Sequence, residues 1–251
     1  MNHRVFALLA LVFAFQTQLR ADDLHKPVTP PTTKPAEEEI PPGLTHYMGR
    51  EIAQTMHFTG APWLVRESRE REEDCTTMLK HLGVKPGMNV CDLGCGNGFY
   101  TLKLSPMVGE DGKVYAVEIQ KEMLDMLAKR AEKTQVKNIV EVLGTVADPK
   151  LPEGSIDIIL MVDVYHEMDH PVEMLAAMRK SLKPNGRLVE VEFRAEDPKV
   201  PIKPLHKMSK EQITKELGVN GFKLADQFDE LPWQHMMFFE KADMAATKPV
   251  K

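Results

Sequence analysis

The sequence predicts an α/β protein with a doubly wound, mainly parallel sheet of seven strands and helices on both faces. The main observation is that short apolar runs alternate with segments whose apolar residues recur at helical spacing. Two more apolar runs after Gly221 predict closing strands. The 251 residues contain no fixed repeat and suffice for one such domain with tails.

The predicted strands and helices follow one another along the chain. Strands are predicted at Asn89–Leu93, Lys113–Ile119, Ile139–Leu143, Ile156–Val164, Arg187–Phe193, Lys223–Phe228 and His235–Glu240. Helices are predicted at Phe99–Met107, Lys121–Thr134, Pro171–Leu182 and Ser209–Leu217. In folds of this kind, ligands bind at the carboxyl ends of the strands.

Two further helices are predicted ahead of the first strand, as an N-terminal helical lid. Met48, Ile52 and Met56 fall on one helical stripe, which predicts a helix over residues 45–56. A second helix is expected over residues 62–82, because Pro62 would occupy the first helical position, where proline is favoured.

The first 21 residues predict a cleavable signal peptide. Arg4 precedes the apolar run Val5–Phe15, and Ala21 is a small residue before a polar boundary. The apolar run is too short to span a membrane, although an uncleaved anchor is the alternative. We therefore expect a periplasmic or secreted protein without stable membrane insertion after cleavage.

The segments that flank the domain differ from it in composition. Residues 22–43 are rich in Pro, Thr and Glu, which predicts a semi-extended linker. Residues 242–251 predict a flexible tail, so the globular domain is expected over residues 44–241.

Charge and cysteine content narrow the class of partner. The net charge of -5 gives no support to nucleic acid or an anionic membrane as a partner. The three cysteines, Cys75, Cys91 and Cys95, are too few and too unevenly placed for a disulfide framework, so we expect free thiols.

A glycine-rich turn follows the first strand of the predicted sheet. Gly94, Gly96 and Gly98 stand at alternate positions just before a helix. Glycine permits positive φ and close approach of a ligand to the backbone, and the helix N-terminus presents free N–H groups. A dinucleotide G-x-G-x-x-G site is excluded, because Phe99 stands where its last glycine belongs, and a Walker lysine is missing.

This turn resembles the first motif of class I S-adenosylmethionine-dependent methyltransferases, in which an acidic residue precedes G-x-G-x-G. Further segments match that family in the same order: Glu118, Gly144–Pro152, Asp157–Val164 and Leu182–Arg187. The likeness covers residues 84–193, and more loosely extends to residue 240. It implies a Rossmann-like methyltransferase fold with S-adenosylmethionine as cofactor.

The resemblance also implies roles for the glycine turn and the second strand. Asp92 would orient the methionyl ammonium, directly or through water, and the turn Gly94–Gly98 would pack its backbone against the cofactor. Glu118 would bind the ribose hydroxyls, and Ile119 would flank the adenine.

Two more carboxylates are expected on the cofactor. Asp148 would meet the adenine amino group. The backbone of Val146–Ala147 is the less favoured alternative, and capping of a helix or turn beside Pro149 is the other role open to Asp148. Asp163 would lie at the end of the fourth strand, beside the transferable methyl group.

The stretch Tyr165–Pro171, "YHEMDHP", contains the H-E-x-x-H spacing of zinc metallopeptidases. A zinc site of that kind needs both histidines one turn apart on one helix. His166 follows a strand and His170 precedes Pro171, which disfavours helical backbone at His170. We therefore predict no metal site, and zinc hydrolysis remains a minor alternative.

His166 and Glu167 are the predicted catalytic residues. The resemblance implies that they lie beside the transferable methyl, and histidine has the pKa range of a general base. Glu167 would pair with His166 or with a cationic substrate. The alternative is that His166 only hydrogen-bonds in its loop, because methyl transfer from a sulfonium can proceed by positioning alone.

Candidate substrate contacts come from three parts of the chain. They are Tyr47, Arg50, Trp63, Arg66, Tyr165 and Arg194, with Lys203 and His206 in the long loop after the fifth strand. The charged stretch Arg66–Glu73 is also typical of a solvated helix face, and Trp63 of a core residue.

The resemblance implies a methyltransferase acting on a small-molecule acceptor. The alternative from another class is a non-catalytic module that binds S-adenosylmethionine without turnover. Export gives that alternative weight, since the cofactor is made in the cytosol.

Overall fold

The computed structural model describes residues 40–243. The predicted signal peptide, most of the predicted linker and residues 244–251 of the predicted tail lie outside these residues. The strands are β1 (His46–Tyr47), β2 (Arg50–Glu51), β3 (Asn89–Leu93), β4 (Lys113–Glu118), β5 (Ile139–Leu143), β6 (Ile156–Val162), β7 (Leu182–Phe193), β8 (Phe222–Phe228) and β9 (Gln234–Lys241). The helices are α1 (Arg69–Glu73), α2 (Cys75–Leu82), α3 (Phe99–Val108), α4 (Lys121–Thr134), α5 (Pro171–Ser181) and α6 (Lys210–Val219). Short 3-10 helices lie at Phe58–Val65, Tyr165–Glu167 and Pro204–His206.

Seven strands form one sheet in the order β5-β4-β3-β6-β7-β9-β8. All neighbouring pairs are parallel except those of β9, which runs antiparallel to β7 and β8. This confirms the predicted mainly parallel, seven-stranded sheet. The chain leaves β3 toward β4 on one side and returns to β6 on the other, so the carboxyl ends of β3 and β6 flank a topological switch point.

Helices cover both faces of the sheet, as predicted. On one face, α5 and α6 contribute Leu175 and Leu217 to a buried cluster. On the other face, α2 and α3 contribute Leu82 and Leu104 to a second cluster. Strand β3 is buried along nearly its whole length, because both of its faces are covered.

The predicted helix over residues 45–56 is wrong. Strands β1 and β2 form a hairpin there, with His46 opposite Glu51. Its two turn residues, Met48 and Gly49, have φ values of 47° and 100°. Two positive φ values in a two-residue turn match the twist of a hairpin, and a glycine at the second position favours that turn.

The single helix predicted over residues 62–82 is also wrong. Pro62 lies inside a 3-10 helix, and α1 is separated from α2 by Asp74. Asp74 has φ 49°, and its side chain accepts a hydrogen bond from the Thr77 amide, so it begins α2 as an N-cap. The N-terminal cover is therefore a hairpin, a 3-10 helix and two short helices.

The three cysteines are free thiols buried in the domain, as expected. Within residues 40–243, every helix is too short or too polar to cross a bilayer.

Candidate functional site

A pocket of about 550 Å³ opens at the carboxyl ends of β3, β4 and β6, where the sheet topology reverses. We divide its lining into two parts. The glycine half consists of Gly94, Gly96, Glu118, Ile119, Thr145 and Val146. The histidine half consists of Trp63, Arg66, Asp163, His166, Glu167, Lys203 and His206.

The glycine turn holds its backbone tightly against the two neighbouring strands. Gly94 has φ 70°, and its amide donates to the carbonyl of Val117 at 2.9 Å. A Cβ on Gly94 would come within 2.6 Å of Val164, and one on Gly96 within 2.5 Å of Leu64. The turn therefore requires glycine for its positive φ values and because Val164 and Leu64 pack closely against its backbone.

Glu118 ends β4 beside the glycine turn and is 7 % exposed. Its carboxylate accepts hydrogen bonds from the amides of Gly96 at 3.0 Å, Ile119 at 2.7 Å and Gln120 at 3.0 Å. Burial raises the pKa of Glu118 against the opposing effect of these hydrogen bonds. A carboxylate has about four acceptor sites, so capacity remains for a ligand hydroxyl from the pocket.

Asp92 and Gly98 lie behind the pocket wall. Asp92 is buried, and one of its oxygens accepts from the Thr101 hydroxyl at 2.5 Å. Burial raises the pKa of Asp92 to about 6. Gly98 is the N-cap of α3 with φ 81°, and a Cβ there would collide with Leu127. The structure thus gives Gly98 a packing role and does not bring either residue to the pocket surface.

The loop after β5 brings its backbone to the glycine half. Thr145 and Val146 line the pocket, whereas Asp148 is exposed and outside the lining. The Asp148 carboxylate accepts from the Lys150 amide at 2.7 Å, which is the turn-capping arrangement weighed from the sequence. Ile119, 37 % exposed, lines the same region.

Asp163 lies between the two halves, just after β6. It has φ 55°, and both of its carboxylate oxygens are within 3.0 Å of the Gln234 amide nitrogen. Burial, and then the Glu73 and Glu192 carboxylates, raise the pKa of Asp163 well above its ordinary value. This half-buried carboxylate, on a residue with strained backbone, faces the pocket where β3 and β6 end.

His166 is held between two partners in the histidine half. Its Nδ1 lies 2.8 Å from Glu192 Oε2, and its Nε2 lies 3.0 Å from His206 Nδ1. Burial alone would lower the pKa of His166, but the Glu192 carboxylate outweighs that effect and raises it. Burial lowers the pKa of His206, and the neighbouring His166 lowers it further. Glu192 therefore fixes the orientation of the imidazole and turns Nε2 toward the pocket.

Glu167 completes this group. Its Oε1 lies 3.7 Å from His166 Nε2, and its Oε2 accepts from the Met56 amide at 3.2 Å. Burial raises the pKa of Glu167 to about 7, against the effect of His166. The Met56 contact also ties Glu167 to the N-terminal cover.

The N-terminal cover closes the pocket with a buried ion-pair network. Arg69 donates to Glu73 at 2.7 Å, and Arg66 donates to Glu72 at 2.7 Å and to Glu73 at 2.5 Å. Arg69 and Glu73 are 4 % and 1 % exposed and line the pocket. The interpretation of this stretch as a solvated face is wrong for these two residues. Trp63 is half-exposed at the rim and stacks on Arg66 at 3.8 Å, so it is not a core residue.

Four predicted substrate residues lie away from the pocket. The Tyr47 hydroxyl accepts from Asn220, and Arg50 donates to Glu216 and to the carbonyl oxygens of Tyr165 and His166. Tyr165 is fully buried in the core. These contacts anchor the β1–β2 hairpin and the loop after β6.

Arg194 is the fourth of these residues. Its guanidinium donates to the backbone carbonyls of Asp229, Leu231 and Pro232. It therefore clamps the loop between β8 and β9 and does not line the pocket.

The H-E-x-x-H spacing is divided as predicted. His166 belongs to the 3-10 helix after β6, whereas His170 precedes Pro171 at the start of α5. The ring nitrogens of His170 contact Asp169 at 2.6 Å and the carbonyl of Pro41 at 2.6 Å. The two histidines do not converge on one site, so this is not the helical zinc site of a metallopeptidase.

The sequence did not identify several residues that line the pocket or lie directly behind its wall. Glu192, Arg69 and Glu73 were not recognised, although Glu192 follows Val191, the register partner of Val162 in β6. That register places Glu192 at the same edge as Asp163, which is the signal that was available. Lys203 and His206 were named as candidates, and both line the pocket.

Several known proteins with similar sequences or structures are methyltransferases. The family profile described as "Methyltransferase domain" matches residues 84–241. The ubiquinone/menaquinone biosynthesis C-methyltransferase UbiE of Shewanella sp. is 30% identical over 150 residues, which cover 59% of this chain and 55% of that protein. The demethylmenaquinone methyltransferase of Bacillus mycoides is 25% identical over 114 residues, covering 45% of this chain and 48% of that protein. The chain thus spans about half the length of these curated relatives.

A solved structure agrees over a larger part of the chain. The SAM-dependent methyltransferase from Aquifex aeolicus superposes with a TM-score of 0.70 and 28% identity, covering 74% of this chain and 98% of that one. The family match covers more than half of the chain and includes the glycine turn, Glu118, His166 and His206, whereas Trp63 and Arg66 precede it. The chain therefore belongs to the methyltransferase-domain family, whose class I members use S-adenosylmethionine as cofactor.

Proposed function

We propose that this protein transfers the methyl group of S-adenosylmethionine to a small-molecule acceptor. The observation that carries the proposal is the Glu118 carboxylate. It is buried at the wall of the glycine half, fixed by three backbone amides, and retains acceptor capacity toward the pocket. A carboxylate at the end of the second strand of such a sheet accepts hydrogen bonds from ribose hydroxyls.

The fold also orients the cofactor. With the ribose on Glu118 and the adenine beside Ile119, Thr145 and Val146, the methionyl end would run along the glycine turn. That turn packs against Val164, which directly follows Asp163. The sulfonium methyl would therefore point into the histidine half, where an acceptor atom must approach opposite the sulfur for in-line transfer.

The pocket favours a small acceptor. A volume of about 550 Å³ is in the range of a single small-molecule site, and the cofactor must occupy part of it. The net charge of -5 gives no support to nucleic acid as acceptor. The histidine half supplies polar groups for a small acceptor that carries a transferable proton.

Calorimetric titration with S-adenosylmethionine and S-adenosylhomocysteine tests the proposal. We expect one site per chain for each ligand, with product release when extract containing the acceptor is added. Failure of both ligands to bind at millimolar concentration would contradict the proposal. Binding without any release of S-adenosylhomocysteine would favour the non-catalytic module.

The role of His166 can be tested separately. His166→Ala should reduce turnover while leaving the affinity for S-adenosylmethionine unchanged, because His166 belongs to the histidine half. His170→Ala is the matched control, since His170 belongs to the same motif but contacts Asp169 and Pro41. Equal losses of turnover in both variants would remove His166 from the reaction.

We also propose that the chain is exported. The support is the basic residue Arg4 before the apolar run Val5–Phe15, and Ala21 before a polar boundary. N-terminal sequencing of the mature protein from its native host should begin at Asp22. A mature protein that retains the apolar run would contradict cleavage.

A further inference from the structure

The histidine half contains three side chains of types that bind metal ions, and the proposed methyl transfer assigns no metal to them. His166, Glu167 and His206 each direct one ligand atom to a common region within 4.8 Å. The sequence motif pairs His166 with His170, four residues on. The structure pairs His166 instead with His206, forty residues on.

We propose that His166 Nε2, His206 Nδ1 and Glu167 Oε1 form a binding site for a divalent metal ion of the zinc type. The first argument is geometric. The three atoms are separated by 3.0, 3.7 and 3.9 Å. A point equidistant from all three lies about 2.1 Å from each, which matches zinc bonds to histidine nitrogen and carboxylate oxygen of about 2.0–2.2 Å.

The second argument is the carboxylate that contacts the other ring nitrogen of His166. Glu192 Oε2 lies 2.8 Å from His166 Nδ1, and Glu192 is fully buried. A carboxylate on Nδ1 holds the proton there, so the lone pair of Nε2 is available to a metal. Within residues 40–243, Glu192 forms a salt bridge with His166 alone, so its carboxylate serves to orient this imidazole.

The third argument is the chemistry of the set. Two imidazoles and one carboxylate are one of the ligand sets that catalytic zinc sites use, with a fourth position left open. The rings of His166 and His206 are 82° apart, so they are not stacked on one another. All three residues line the pocket, so the open position faces the space where the acceptor would lie.

The site predicts the chemical class of the acceptor, a prediction that also depends on the proposed methyl transfer. An acceptor hydroxyl or thiol would bind the metal as its anion after releasing its proton to solvent. Its lone pair would form the bond to the methyl carbon, while the carbon–sulfur bond breaks and its electrons neutralise the sulfonium. His166 would then act as a ligand, in place of the general base predicted from the sequence.

Zinc binding to the full chain tests the site without using activity. Untagged protein is stripped with chelator and dialysed against Zn²⁺ alone, and bound metal is measured by mass spectrometry and calorimetry. We expect one equivalent of zinc and at least a tenfold weaker affinity in His206→Ala. The His206 side chain is 33% exposed, so this variant should fold. Glu192→Gln, checked for folding by circular dichroism, should weaken zinc by about tenfold to a hundredfold.

His170→Ala is the control and should bind zinc as the wild type does. Equal zinc affinity in wild type and His206→Ala would overturn the site, and would leave the 3.0 Å contact of the two histidines as a plain hydrogen bond. An equal loss in His170→Ala would overturn it as well. S-adenosylmethionine binding, measured on the metal-free protein, separates the two proposals. Cofactor binding without zinc binding removes the metal site alone, and zinc binding without cofactor binding removes the proposed transfer.

Discussion

The two halves of the pocket are built in different ways. The glycine half comes from short stretches at the ends of the neighbouring strands β3, β4 and β5. Its key contacts join Glu118 to Gln120, two residues on, and to Gly96 in the turn after the adjacent strand β3. The histidine half is assembled from segments far apart in the chain: the N-terminal cover, the loop after β6 and the loop that carries His206. A fixed cofactor can be bound by a compact motif, whereas a particular acceptor requires groups from several elements.

The difference extends to electrostatics. In the glycine half, backbone amides surround a single carboxylate. The histidine half instead brings the half-buried carboxylates Asp163 and Glu167 close to His166, with the buried Glu192 behind it. The buried Arg69–Glu73 pair lies beside Asp163. Substitutions in the two halves should therefore affect different properties.

The largest expected effect is on stability, from Arg69→Ala in the N-terminal cover. Removing Arg69 leaves Arg66 as the remaining cationic partner of the buried Glu73, so we expect a loss of about 3 kcal/mol of unfolding free energy, the lower end of the cost of breaking a buried ion pair. Urea denaturation measures this cost. Arg71→Ala, an exposed neighbour on α1, is the control and should change stability by less than about 0.5 kcal/mol. Equal small effects would mean that the stretch is a solvated face after all.

The next effect concerns the pH dependence of stability through Asp92. The pKa of Asp92 is raised by burial to about 6. A raised carboxyl pKa gives stability that is complete below the unfolded pKa, about 4, and is lost as the pH rises through about 6. Asp92→Asn should therefore gain up to about 3 kcal/mol over wild type between pH 4 and pH 8 in the cofactor-free state.

Urea unfolding at both pH values checks this prediction, with Asp125→Asn on the exposed face of α4 as the control. A difference between Asp92→Asn and wild type that stays constant with pH would contradict the raised pKa.

Glu118→Ala should weaken S-adenosylmethionine binding by about 1–3 kcal/mol, the cost of leaving ligand hydroxyls without their charged acceptor. Calorimetry gives the affinity directly. The control is Glu122→Ala, an exposed residue in the first turn of α4. If both variants bind the cofactor as the wild type does, the glycine half is not the ribose site.

The smallest effect is expected from Arg194→Ala. Because Arg194 clamps backbone carbonyls of the loop between β8 and β9, its loss should cost about 1 kcal/mol of stability and leave cofactor affinity unchanged. Lys199→Ala, a substitution of an exposed residue in the loop that follows, is the control and should change neither the stability nor the cofactor affinity. A changed acceptor KM with unchanged stability would return Arg194 to the substrate site.

Much of the fold was predictable from the sequence because its signals are local. Strands β3 and β5 begin and end where predicted, and α4 does as well. Each strand is a short, mainly apolar run, and the helix carries a regular apolar stripe, so their limits are marked by the residues themselves. Strand β7 begins earlier than predicted, since Leu182 already pairs with Ile156 before a register shift.

The N-terminal cover could not be predicted in this way. A stripe of Met48, Ile52 and Met56 is too short to outweigh a hairpin turn at Gly49. Arg69 and Glu73 have the spacing of an ordinary surface pair, and only their packing under the cover makes them a buried network. The local sequence therefore does not determine the structure of the N-terminal cover, which depends on its tertiary contacts.

The residues of the site also differ in whether the sequence could predict them. The glycine turn and Glu118 follow from motifs, whereas the meeting of His166 with His206 depends on how a long proline-containing loop returns to the sheet edge. A histidine forty residues away carries no local signal. The polar edge residue Glu192 was accessible only through the strand register.

A crystal structure of the protein with S-adenosylhomocysteine tests the central claim most directly. We predict both ribose hydroxyls within about 3.2 Å of the Glu118 carboxylate, and the sulfur directed toward Asp163 and His166. A ribose bound away from Glu118, with the glycine half empty, would contradict the account.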